Sequence, residues 1–119
     1  MKPYIGQISM VAFKFAPEGW LVCDGSEIDT NDYQYRDLYE QIGTTYGGGN
    51  RSFKLPDLRK RAALNYGQGP GLTNYTLGAT AGVKAVNSLT AVAGTDDAHS
   101  VIQPVLTINY IICYRGARL

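Results

Sequence analysis

The chain has 119 residues, 45% of them apolar, and a formal net charge of +1. That length suits one domain and excludes two, at roughly 100–200 residues per domain. The near-neutral balance excludes a bulk basic protein that holds nucleic acid by charge, and it excludes an acidic disordered tail. The composition is unusual in its 14 Gly, where average usage of about 7% would give roughly 8. It is also rich in Tyr, with 9 against 3 Phe and 1 Trp.

Tyr4 to Phe15 is predicted to be a strand, because Ile8, Met10 and Ala12 alternate with Gln7, Ser9 and Val11. Pro17-Glu18-Gly19 is a turn, and Trp20 to Cys23 is a second short strand closed by the turn dipeptide Asp24-Gly25. Thr30 or Asn31 is the expected cap of a helix. Tyr35, Leu38, Tyr39 and Ile42 then fall at i, i+3, i+4 and i+7, which is one helical face. Asp32 lies in the expected first turn, where the helix dipole favours a negative charge, and Gly43 stands where a C-terminal glycine belongs.

Nine of the glycines lie between Gly43 and Gly82. Short apolar pieces, Phe53-Lys54-Leu55 and Ala62-Ala63-Leu64, are separated there by Gly-rich stretches. The block is expected to be a run of short strands joined by tight turns, some with positive φ, which glycine adopts at little cost. Residues 83–100 are small and polar and read as a loop or hairpin. Val105 to Tyr114 is the strongest predicted strand, apolar on both faces towards its end, as a central strand should be. Tyr35, Tyr39 and Tyr110 sit on apolar faces and are expected in the core.

Charge is unevenly divided. Residues 1–50 carry three basic and seven acidic residues, and residues 51–119 carry eight basic and three acidic. The densest basic run holds Arg51, Lys54, Arg59, Lys60 and Arg61 against Asp57. Apart from Phe53 it has no interleaved aromatic for base stacking. A solvated face, or one pairing with the acidic first half or with a neighbouring subunit, is the preferred reading, and no nucleic-acid partner is expected. No apolar h-region follows Met1-Lys2-Pro3-Tyr4, so cytoplasmic synthesis without a secretory signal is expected. The longest apolar run, Tyr110 to Tyr114, is far short of the roughly 18 residues of a membrane span. Cys23 and Cys113 each sit in an apolar stretch and read as buried free thiols. A disulfide between them stays open, without a secretory context to support it.

No enzyme signature emerges. Gly67-Gln68-Gly69-Pro70-Gly71 lacks the following helix and the Gly-Lys-Ser/Thr of a phosphate loop. His99 is the single histidine, in Asp96-Asp97-Ala98-His99-Ser100, and reads as an exposed loop residue. A metal role for it arises only within an oligomer. Asp24, Glu27, Asp29 and Asp32 lack the calcium-loop spacing and are assigned to turns and caps. No cofactor is expected. Tyr gives rigid contact area with a polar tip. Tyr46, Tyr66 and Tyr75, with Asn74 and His99, are therefore the candidates for a recognition surface.

Several blocks match a known family in its order. They are Gly6-Gln7-Ile8, Phe15-Ala16-Pro17-Glu18-Gly19-Trp20 and Cys23-Asp24-Gly25, then Gly43-Thr44-Thr45-Tyr46-Gly47-Gly48 and Phe53-Lys54-Leu55-Pro56-Asp57-Leu58-Arg59. The stretch from Gly67 to Gly78, Gln103-Pro104 and Leu106 to Ile112 complete the set. Together they resemble the phage tail-collar family, which includes the microcystin-dependent proteins. The resemblance implies a non-enzymatic structural or adhesive module. It would be found at the distal part of phage tail fibres or related contractile injection systems, commonly as a homotrimer among other tail or fibre proteins, in contact with a host surface. In one tail-fibre relative paired histidines hold a metal on the trimer axis. This chain departs from that pattern, because the family's insertion is reduced to residues 91–102 with His99 alone.

The expected fold is a small, mainly β (α+β) domain over residues 1–119, with Gly-rich turns and one short helix. A small core with many short strands would gain from association, so a homotrimer is expected. Gly19, Trp20, Asp24, Gly25, Pro56, Asp57 and Arg59 are expected to be architectural. The alternative to a tail protein is a stand-alone lectin-like module that binds cell-surface carbohydrate.

Overall fold

The computed structural model describes residues 2–81 and 104–118. The expectations for residues 83–100, for the shortened insertion 91–102 and for His99 lie outside the described residues. Five short strands form: β1 (Ile8–Val11), β2 (Trp20–Val22), β3 (Glu27–Asp29), β4 (Ser52–Lys54) and β5 (Asn109–Cys113). The single α-helix among the described residues, α1 (Arg36–Ile42), follows a 3-10 turn at Tyr33–Tyr35. The fold is thus mainly β with one short helix.

β5 lies between β1 and β2, antiparallel to both. Its end is apolar on both faces, and Ile111, Ile112 and Cys113 are all buried. This is what a central strand needs, since both of its faces are covered. Ile112 pairs with Ile8 on one side and Leu21 on the other. β3 and β4 form a separate antiparallel pair, with Ile28 opposite Phe53. Between the two sheets and α1 lies the core of Ile5, Cys23, Leu38, Phe53, Leu55, Ile112 and Tyr114.

The helix follows its 3.6-residue pattern. Leu38 is fully buried, and Tyr35, Tyr39 and Ile42 pack half-buried against the core. Gly43 closes it at φ 52, its N–H donating to the Tyr39 carbonyl at 2.8 Å. The start differs from expectation. Asp32, rather than Thr30 or Asn31, caps the 3-10 turn, its carboxylate accepting from the Gln34 N–H at 3.1 Å, and α1 itself follows Tyr35 without a side-chain cap. The Thr30 N–H is instead held by the Arg51 carbonyl, and the Asn31 N–H by the Asp29 carboxylate.

Four further expectations are corrected. The strand expected over Tyr4–Phe15 is confined to Ile8–Val11, and Met10 on its supposed inner face is 61% exposed. β1 is an edge strand that overhangs the core, so alternation alone did not place its apolar side. The strand expected over Val105–Tyr114 forms only from Asn109, because its partner β1 ends at Val11, opposite Asn109. The Gly-rich block holds one strand, β4, among its described residues, and Ala62-Ala63-Leu64 is exposed without strand structure. Glu27–Asp29, assigned to turn and cap duties, is strand β3.

Candidate functional site

The blocks Cys23-Asp24-Gly25 and Pro56-Asp57-Leu58-Arg59 are thirty residues apart in sequence but lie antiparallel to each other, with Asp24 and Asp57 opposed. Leu58 N–H donates to the Cys23 carbonyl at 3.1 Å, and Leu55 N–H to the Ser26 carbonyl at 3.0 Å. The Asp24 carboxylate turns back on its own chain and accepts from the Ser26 N–H at 3.0 Å and from the Ser26 hydroxyl. That is the side-chain turn for which Asp is favoured. Gly25 sits at φ 77, and a Cβ there would stand 3.1 Å from the Asp57 Oδ2. Both the backbone angle and the close approach require glycine.

Asp57 organises the other half. Its Oδ1 accepts from the Arg59 Nε and its Oδ2 from the Arg59 Nη2, each at 2.8 Å. The Arg59 N–H also donates to Oδ1 at 3.2 Å. Arg61 Nη1 donates to the Asp57 carbonyl at 3.0 Å. The Arg59 fork holds the Asp57 carboxyl at about 2, well below the ordinary carboxylate range. Beside it, burial and then the Asp24 charge push the Cys23 thiol up to about 12. A carboxylate that stays ionised and a thiol that stays protonated serve neither as general acid nor as nucleophile at neutral pH. What the arrangement does chemically is lock two segments together.

Gly19 is buried at φ 92, and its carbonyl accepts from the Tyr114 N–H at 2.9 Å and the Arg115 N–H at 3.3 Å. Trp20 opens β2 opposite Cys113, but its indole is half-buried and lies outside the main core cluster. Pro56 is buried and Arg59 exposed.

The recognition candidates are placed unevenly. Tyr66 and Asn74 are exposed, whereas Tyr46 and Tyr75 are half-buried. Burial, with Cys23 nearby, raises the Tyr46 hydroxyl above its usual value. Gly67 and Tyr75 bond each other across a loop, at 2.7 and 3.1 Å. The bridge holds Tyr66, Asn74 and Tyr75 on one small loop. Gly78 packs directly on the Thr45 carbonyl, with no space for a Cβ. This tether of the loop to the segment after α1 was not foreseen, since a glycine among many carries no contact signal. Cys23 and Cys113 are both free and buried. An open depression of about 320 Å³ is lined by Tyr4, Ile5, Gly6, Gln7, Gln41 and Ile42, none of them a carboxylate, histidine or cysteine. Among the described residues no cluster of His, Cys, Asp or Glu could hold a metal, and no helix is long and apolar enough to cross a membrane.

Comparison with known proteins agrees with this geometry. Neither a search of curated proteins nor one of solved structures returns a match. The family model described as the phage tail collar domain matches residues 6–63. Those residues run from the start of β1 through the helix and both halves of the Asp24–Asp57 junction. The family is a structural one of phage tails. The likeness to the phage tail collar domain covers residues 6–63.

Proposed function

We propose that this protein is a non-enzymatic collar or fibre-tip component of a phage tail or related contractile injection apparatus. In this reading it forms a homotrimer, joins other fibre proteins and contacts the host cell surface. Residues 1–119 act as one module, close to the microcystin-dependent proteins in its motifs. The observation that carries the reading is the match over residues 6–63, within which the Cys23–Gly25 and Pro56–Arg59 blocks meet at the Asp24–Asp57 junction. The surface supports association. Met10, Phe13, Phe15, Val105, Leu106 and Ile108 are all exposed large apolar residues, and Phe13 and Phe15 pack ring on ring at 4.7 Å. Large exposed apolar patches mark interaction sites. Light scattering coupled to size exclusion is the test. A trimer is the expected result, and a stable monomer at micromolar concentration overturns the assembly reading.

The Tyr66–Asn74–Tyr75 loop favours a second reading, a stand-alone lectin-like module. Glycan binding by an isolated monomer would support it.

A further inference from the structure

The segment that follows the junction carries an uncommon backbone conformation. The Arg61 N–H donates to the Leu58 carbonyl at 3.2 Å, closing a four-residue turn with Arg59 and Lys60 at its centre. Lys60 stands at φ 58, a left-handed conformation found at no other non-glycine among the described residues. In a turn with positive φ only at its third residue, that place ordinarily belongs to glycine. The chain has glycine at nine other positive-φ positions among the described residues, yet puts lysine here. A side chain kept at a strained position points to use of that side chain.

Its neighbours supply a setting. Asp57 neutralises one cation and grips Arg59 and Arg61 from below. Lys60 makes no ion pair among the described residues, and Arg59, Lys60 and Arg61 are all exposed. Arg51 and Lys54, also exposed, add to the same basic run. Phe53, the one aromatic within that run, is fully buried and unavailable to stack on a base. The arrangement is an outward cationic tip on a rigid base, with little to read a nucleobase.

We propose that the Leu58–Arg61 turn is a contact site for an acidic polysaccharide, with Lys60 as its leading charge. The inference rests on the host-surface reading and names the chemical class that this reading leaves open.

The test uses the full chain on immobilised polygalacturonate, with uncharged dextran and duplex DNA in parallel. Wild type should bind polygalacturonate, bind dextran negligibly, and weaken steeply as salt rises. Lys60→Gly should weaken that binding roughly two- to fivefold, the effect of losing one exposed charge contact. The same variant should melt roughly 2–6 °C higher, because the strain is relieved. Lys60→Arg should keep the binding. A Lys60→Gly variant that melts higher but binds as wild type overturns the proposal, as does equal binding to dextran or tighter binding to duplex DNA. A glycan array separates the inference from the reading beneath it. Binding to neutral glycans alone keeps surface attachment and overturns the turn's role, whereas binding to no glycan overturns glycan attachment altogether.

Discussion

Replacing Asp57 with Asn tests whether the junction is held by charge. Asn keeps the size and one acceptor oxygen, but it removes the negative charge and turns an amide towards the Arg59 fork. The Asp57 carboxyl lies at about 2 in the folded chain against an ordinary 3.8. At about 1.4 kcal/mol per pKa unit, that gap corresponds to about 2 kcal/mol. The side chain is 31% exposed, so solvent screening reduces the ion-pair contribution to about 1 kcal/mol. The folded value lies below the unfolded one. The contribution is therefore complete above the unfolded 3.8 and is lost as pH falls through about 2. Asp57→Asn should accordingly lower the melting temperature at pH 7 by roughly 3–6 °C. Circular-dichroism melts from pH 7 down to pH 2 check this, and the two proteins should converge as the pH falls. An unchanged melting temperature at pH 7, or a gap that persists undiminished at pH 2, would refute the electrostatic account of the junction.

Other outcomes follow from burial. Phe53→Ala, at a fully buried position that packs on Tyr39, should cost about 3–5 kcal/mol in chemical denaturation. Trp20→Ala, at a half-buried position outside the core cluster, should cost clearly less, about 1–3 kcal/mol, and an order reversed between the two would contradict the packing described. Cys23 should resist alkylation by iodoacetamide at pH 8 in the native protein and react on unfolding, because its thiol is buried and held at about 12. Rapid native labelling, read by mass spectrometry at that residue, would exclude that environment.

Local pattern was most informative where one element satisfies itself. The face of α1 could be read from Tyr35, Leu38, Tyr39 and Ile42 because helical hydrogen bonds join residues four apart, so spacing and burial are set together. The two-faced apolar run Tyr110 to Cys113 likewise announced a central strand. The blocks around Asp24 and Asp57 were legible as motifs resembling a family. What they do to each other was not legible. Nothing in either block alone says that Gly25 must admit the Asp57 carboxylate.

Tertiary pairing decided the rest. β3 forms from Glu27-Ile28-Asp29, a poor strand by composition, because β4 offers it partners and Ile28 meets Phe53. Met10 alternates correctly for burial and yet stays exposed, because burial depends on what lies opposite and not on the strand's own period. The strained Lys60 appears only once the chain on either side of it is held by Asp57. The sequence by itself determined the fold class, the apolar face of the helix and the central strand. Only the tertiary structure decided which apolar residues are left uncovered and which cations face outward, since both follow from contacts between segments far apart in the chain.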